Sequence, residues 1–184
     1  MSRLSTNTAE QLEPPTETSL STNPGIEERM SRIHGRGVYA LKPFRAGERI
    51  IELLGERISA EESDRRAELL PENGHTFFFW VDDDLVLDCG VNGNSARYIN
   101  HHCEPNCEAV IEDDRVFIDA IRDIAPGEEL TFDYNLCWYG TETPEELALY
   151  ACRCGAERCR GTMLAPEPLD EEEEEEESLC AAEA

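Results

Sequence analysis

The chain has 184 residues, 41 acidic and 16 basic, for a formal net charge of -25 at pH 7. That length fits one domain plus tails, with a core large enough to stand without disulfide staples. The negative field disfavours direct nucleic-acid binding and draws basic or cationic partners. No stretch approaches the roughly 20 apolar residues that span a bilayer, and the N-terminus lacks the basic-then-apolar layout of a secretion signal, so a soluble intracellular protein is expected, with no membrane partner.

Residues 1–28 are rich in Ser, Thr, Pro, Asn and Glu and poor in large apolar side chains. They cannot bury enough surface to offset their ordering entropy and are expected to form a disordered leader. Gly35-Arg36-Gly37 then leads into a short strand, Val38 to Leu41, and a turn at Pro43 and Ala46-Gly47 precedes a second strand from Glu48 to Leu54. The two are expected to pair as a hairpin. Ser59 is placed to N-cap a surface helix that ends before Pro71. Thr76 to Val81 and Leu85 to Asp88 flank the acidic turn Asp82-Asp83-Asp84 and predict another hairpin. Glu108 to Ile111, Arg115 to Ala120 and Glu128 to Tyr134 follow as strands, giving a mostly β class with short helices and no evident internal repeat. From Asp170 onward nine acids (Asp170, Glu171 to Glu177, Glu183) stand without a base, so residues 166–184 are expected to be an acidic disordered tail.

The chemistry concentrates in Arg97-Tyr98-Ile99-Asn100-His101-His102-Cys103-Glu104-Pro105-Asn106-Cys107. Asn100, His101 and Asn106 offer hydrogen bonds, Cys103 and Cys107 offer thiolates, and Pro105 excludes a regular helix or central strand. A polar loop capping its own backbone is the plain alternative. Eight cysteines allow a disulfide framework, but without a secretion signal a metal site is favoured. Cys152-x-Cys154-x4-Cys159 supplies three thiolates at a spacing that suits tetrahedral zinc and lacks a fourth ligand. Cys103 or Cys107 could complete it, as could His101 or His102. Cys89, Cys137 and Cys180 have no partner at metal spacing. Taken singly, Gly35-Arg36-Gly37 is an ordinary turn and Tyr134 a core tyrosine with its hydroxyl satisfied.

Read jointly, the Gly35-Arg36-Gly37 turn, the Arg97 to Cys107 loop, Glu128-Glu129-Leu130-Thr131-Phe132-Asp133-Tyr134 and the terminal cysteine cluster resemble a SET-domain protein lysine methyltransferase with its post-SET zinc motif. The likeness runs from about Ser31 to Leu164, and Arg32 to Gly37 with Val81-Asp82-Asp83 is most similar to the trithorax or mixed-lineage-leukaemia type. It implies a SET domain over 29–140, a post-SET motif over 141–165, and a β-clip-like knotted fold in which the loop and the Tyr134 segment thread past one another, an exception to the usual rule. It implies S-adenosyl-L-methionine as cofactor, bound by Gly35, Arg36, Gly37, Asn100 and His101 with Arg97 and Tyr98 nearby. It further implies zinc on Cys103, Cys152, Cys154 and Cys159, a substrate channel including Phe77 and Phe132, and Tyr134 as the catalytic residue where methyl donor and acceptor meet.

The implied activity is methyl transfer to lysines of a basic protein such as a histone, in the cytoplasm or, in a eukaryote, on chromatin. The rival is a non-catalytic SET-like module that binds peptides or partner proteins. Two departures stand out: His102 replaces the family's usual Ser and could offer the metal a rival ligand, and Phe77 falls where many relatives carry a lysine-contacting Tyr. Phe132 occupies a position at which Phe is associated in the family with room for two or three methyl groups.

Overall fold

The computed structural model describes residues 23–69, 76–137 and 143–166. The leader up to residue 22, the tail from residue 167 and Cys180 lie outside the described residues. The mostly β expectation holds, with ten short strands and few helices among the described residues. No helix among the described residues is long and apolar enough to cross a membrane.

Among the described residues, three small sheets share one core. The first orders β1 (Ile26–Met30), β2 (Arg36–Ala40), β10 (Glu129–Phe132) and β7 (Asn100–His101). The second orders β3 (Arg49–Leu53), β9 (Arg115–Ala120) and β8 (Cys107–Glu112), and the third β4 (Glu56–Ser59), β6 (Leu85–Asp88) and β5 (Phe78–Trp80). Val38, Val116, Ile118 and Leu130 are fully buried where these sheets meet, with Phe44, Ile99 and Ile124 packed among them. The β5–β6 and β8–β9 pairs form antiparallel ladders on either side of the acidic turns that mark them in the sequence. Ser59 caps α1 (Ala60–Ala67) by accepting from Glu62 N at 3.2 Å, as expected.

The structure corrects the sequence reading in two places. The leader was expected to run to Glu28, yet β1 begins at Ile26, because its backbone pairs with β2 from Ile26↔Ala40 to Met30↔Arg36 and Ile26 enters the core. A strand held by ladder bonds and one buried side chain carries almost no hydrophobic pattern. The expected hairpin of β2 with β3 is also absent: β2 pairs with β1 and β10, and β3 with β9.

Two similar turns, exchanging partners, account for the second correction. Ala40 to Glu48 and Ala120 to Glu128 share the order Ala, aliphatic, cation, then a buried Phe44 or Ile124, then Gly-Glu. Phe44 and Ile124 exchange backbone bonds at 3.0 and 2.9 Å. Gly127 N donates to Ala40 O and Gly47 N to Ala120 O, both at 2.7 Å, while Ala40 N donates to Glu128 O at 2.9 Å and Ala120 N to Glu48 O at 3.0 Å. The matching bonds make a local two-fold arrangement, so each turn feeds its strands to the other's. Gly47 and Gly127 sit at φ 79° and 91°, a conformation that favours glycine. The short repeat is inconspicuous as sequence because only Ala and Gly-Glu are identical in it, the other shared positions matching in type alone.

Gly37 is needed for packing. A Cβ there would lie 2.3 Å from Glu129 Oε1 and 3.0 Å from the Ser31 Cβ. Gly37→Ala is expected to destabilise the fold by about 1–3 kcal/mol through overpacking, read as a lower midpoint in urea with unchanged slope. An unchanged midpoint would show that the Glu129 carboxylate can step aside without cost.

Candidate active site and metal centre

The site is assembled where β7 lies beside β10 in parallel, Thr131 opposite Asn100 and Phe132 opposite His101. A 3-10 turn over Ser95–Tyr98 buries Ala96 and delivers Ile99 and then Asn100 to that position. Asn106 fixes the other end of the loop: its Nδ2 donates to Glu129 O at 2.8 Å and its Oδ1 accepts from Thr131 N at 2.9 Å. A buried amide bonded to one strand on both its sides staples the loop to β10.

Asn100 is buried, and its Nδ2 faces three acceptors: His34 O at 3.2 Å, Arg36 O at 2.9 Å and Glu129 Oε1 at 2.9 Å. The reverse amide orientation would set oxygen against oxygen, so the side chain has one stable setting. Glu129 also accepts from Ser31 Oγ at 2.7 Å and Tyr39 Oη at 2.8 Å. Burial and that carboxylate hold the Tyr39 phenol above its ordinary pKa. The Gly35-Arg36-Gly37 segment, the loop and the Glu129 strand therefore meet through one amide and one carboxylate.

Tyr134 follows at the end of β10. Its hydroxyl donates to Ile99 O at 2.8 Å, its ring lies 4.9 Å from Phe132 and 5.4 Å from His101, and Phe79 stands 6.5 Å from Phe132. Burial pushes the phenol above its ordinary pKa, so at neutral pH it stays protonated, with its proton committed to the Ile99 carbonyl and its lone pairs available to a donor. His101 is almost fully buried. Tyr134 N donates to its Nδ1 at 3.1 Å, and its Nε2 lies 3.4 Å from Cys103 Sγ. Burial holds the imidazole below its ordinary pKa against the opposing pull of Asp133, so it is neutral.

Arg97 and Tyr98 form a second group beside the first. The Arg97 guanidinium donates to Cys89 O at 3.2 Å and Tyr98 Oη at 2.7 Å and stacks 4.7 Å from the Tyr98 ring; Arg36 stacks at 4.8 Å. Arg97 Nε is buried and has no partner among the described residues. Phe77 places its ring edge-on to Tyr98 at 5.9 Å, on the rim of a groove of about 560 Å³ that is also lined by Leu69, Phe78 and Val91.

The sulfurs of Cys103, Cys152, Cys154 and Cys159 all lie within 4.8 Å of one another. Cys103 Sγ is 3.7 Å from that of Cys152 and 3.8 Å from that of Cys159. Four thiolates about 2.3 Å from a tetrahedral zinc would stand about 3.8 Å apart, so the cluster fits that ion. The choice left open by the sequence thus falls on Cys103. Cys107 is buried elsewhere, with its thiol pushed up to about 12 by burial and its Sγ 3.4 Å from Asn106 Oδ1. His102 is not among the four side chains that converge, and its Nδ1 accepts from Glu104 N at 3.0 Å. Cys89 is a core residue and Cys137 is exposed.

The tail that bears the cluster is tied to the body. Leu136 N donates to Met163 O and Ala165 N to Leu136 O, Arg158 pairs with Glu104, and Arg160 makes a bidentate pair with Asp133 at 2.5 and 2.8 Å. A short helix, α2 (Pro144–Leu149), precedes the cluster. Sequence reasoning missed Phe79, the Arg160–Asp133 pair and α2. Only α2 left a signal, a Pro at the first helical position followed by two acids.

The SET domain family profile matches residues 35–135. The chain is 42% identical over 135 residues to histone-lysine N-methyltransferase trithorax of Drosophila melanogaster, covering 71% of this chain and 3% of that protein. It is 42% identical over 137 residues to the H3 lysine-4 specific histone-lysine N-methyltransferase of Saccharomyces cerevisiae, 71% of this chain and 12% of that protein. Against histone-lysine N-methyltransferase ATX2 of Arabidopsis thaliana the identity is 37% over 157 residues, 82% of this chain and 14% of that protein. The chain therefore spans a small part of each of these relatives. With more than half its length matched by the profile, and with the loop, the Tyr134 segment and the glycine segment packed against one another, the chain belongs to the SET-domain family.

Proposed function

We propose that this chain is a protein-lysine N-methyltransferase that uses S-adenosyl-L-methionine and acts on a basic protein of the histone kind. The observation that carries the reading is the meeting of Asn100, His101 and Tyr134 beside a four-cysteine cluster, in a SET-family chain whose relatives are named as histone-lysine N-methyltransferases. The relatives' names also favour histone H3 as substrate and chromatin as location. The parallel pairing of β7 with β10 supports the threaded closure of the fold, and the four-cysteine cluster supports a post-SET zinc motif over residues 141–165.

The cofactor supplies an electrophilic methyl group on a sulfonium. Gly35, Arg36, Gly37, Asn100 and His101 would hold it, with Arg97 and Tyr98 alongside. The unpartnered Arg97 Nε, a buried donor among aromatic faces, fits a ligand that brings an acceptor there. Zinc would sit on Cys103, Cys152, Cys154 and Cys159 and set the tail over the site.

The chain's own groups prepare the nucleophile. Free lysine has a pKa of about 10.4 and is protonated at neutral pH, whereas attack needs the neutral amine. Phe79, Phe132 and Tyr134 make an aromatic wall that strips water from the ammonium, lowers its pKa and aligns it. The Tyr134 oxygen, its proton held by Ile99, accepts from the amine and orients its lone pair towards the methyl carbon. The negative body of the protein attracts the lysine-rich partner at long range.

Calorimetric titration with S-adenosyl-L-methionine tests the reading against a peptide-binding scaffold. Saturable binding that weakens on Asn100→Ala is expected; absence of binding would refute it. Because Phe132 lacks a hydroxyl beside Tyr134, product with more than one methyl group is expected, and Phe132→Tyr should shift it towards the monomethyl form. An unchanged product distribution by mass spectrometry would remove Phe132 from the channel.

A further inference from the structure

We infer that His101 and Arg160 are positioning residues that transmit the geometry of the metal cluster to Tyr134, with the Cys103 sulfur as their common anchor. The inference rests on the proposed function for what Tyr134 does, and on geometry alone for how it is held.

The first arm runs through the imidazole. Tyr134 N–H donates to His101 Nδ1 at 3.1 Å, so that nitrogen carries no proton. The ring proton must then be on Nε2, which lies 3.4 Å from Cys103 Sγ and points a donor at a thiolate. One ring thus joins the backbone of Tyr134 to a metal-ligating sulfur, in the manner of outer-shell groups that orient ligands and tune their charge. The imidazole has both nitrogens engaged within the protein, which leaves its edge no free atom for a cofactor; a cofactor contact at His101 falls to its backbone.

The second arm runs through Arg160, the residue after Cys159. Its backbone N–H donates to Cys103 Sγ at 3.4 Å, and its guanidinium reaches back to both oxygens of Asp133, the neighbour of Tyr134. Asn135 N donates to Asp133 Oδ1 at 3.2 Å. Asp133 is therefore held by Arg160 directly, and Asn135, the other chain neighbour of Tyr134, is held through the Asp133 carboxylate. Tyr134 has its hydroxyl fixed by Ile99 and its backbone fixed by the metal cluster, so the phenol is held at both ends.

The test uses the zinc-loaded full chain. Long-range nitrogen–proton correlation spectra should show His101 protonated at Nε2; protonation at Nδ1 would overturn the first arm. In the cobalt-substituted protein, His101→Asn should shift the sulfur-to-metal absorption band, because a donor to Cys103 is lost, whereas Arg160→Ala should leave the band in place, its N–H being backbone. Arg160→Ala should lower kcat about 10-fold with zinc content and cofactor Kd unchanged, and Arg160→Lys should restore part of it. A band unmoved by His101→Asn, or full kcat in Arg160→Ala, would contradict the inference. Should the wild-type chain show no turnover on any basic protein, the function reading fails, while the spectra still decide whether His101 bridges Tyr134 and Cys103.

Discussion

Replacing Tyr134 with phenylalanine is expected to reduce methyl transfer by about 10²-fold or more while leaving zinc content and cofactor affinity in place. The ring keeps its contacts with Phe132 and His101, and its backbone N–H still donates to His101 Nδ1, so the aromatic wall and the metal cluster survive. What goes is one oxygen, oriented by donation to Ile99 O. Stability should fall by about 1 kcal/mol, since that buried carbonyl loses its partner. The loss must therefore appear in kcat rather than in cofactor Kd. A variant with full turnover would show that alignment by the aromatic walls suffices and that the hydroxyl has no role.

Removing the proposed zinc is expected to release residues 143–166 from the body and to abolish cofactor affinity with them. The cluster's four sulfurs lie within 4.8 Å, a spacing that four thiolates cannot hold without a cation between them. Binding of structural zinc is worth about 10–16 kcal/mol in small metal-folded peptides. The remaining ties are weaker: the Arg158–Glu104 pair is exposed, and such pairs contribute at most about 1 kcal/mol. On chelation, amide exchange in residues 150–165 should become fast, whereas the ladders joining β3, β8 and β9 should keep their protection, because their core does not depend on the tail. Cys103→Ser should act in the same direction. Unchanged tail protection after chelation would mean that the Leu136 to Ala165 bonds and the Arg160–Asp133 pair hold the segment without metal.

How much of this was legible in the chain depends on the range of each interaction. Local signals served well: Ser59 as a cap, the acidic turns between β5 and β6 and between β8 and β9, and the Cys-x-Cys-x4-Cys spacing. The pairing of strands did not follow from local pattern, since β2 lies against β10, some 90 residues further along the chain, through turns identical only at Ala and Gly-Glu. The first three residues of β1, Ile26 to Glu28, fall within the expected leader because that stretch has few large apolar residues and backbone bonds hold it. Among site residues, the fourth cysteine was one of several candidates until the loop and tail were folded together. Glu129 gave no sign of its role either, because a carboxylate that accepts from Ser31, Tyr39 and Asn100 is recognised only when those three distant residues are seen around it.

The most direct test of the account is intact-mass analysis of core histones incubated with zinc-loaded protein and S-adenosyl-L-methionine, beside a parallel reaction with the Tyr134→Phe variant. The account predicts lysine methylation by the wild-type chain that is lost in the variant. A chain that holds zinc, binds the cofactor and transfers no methyl group to any histone lysine would contradict it.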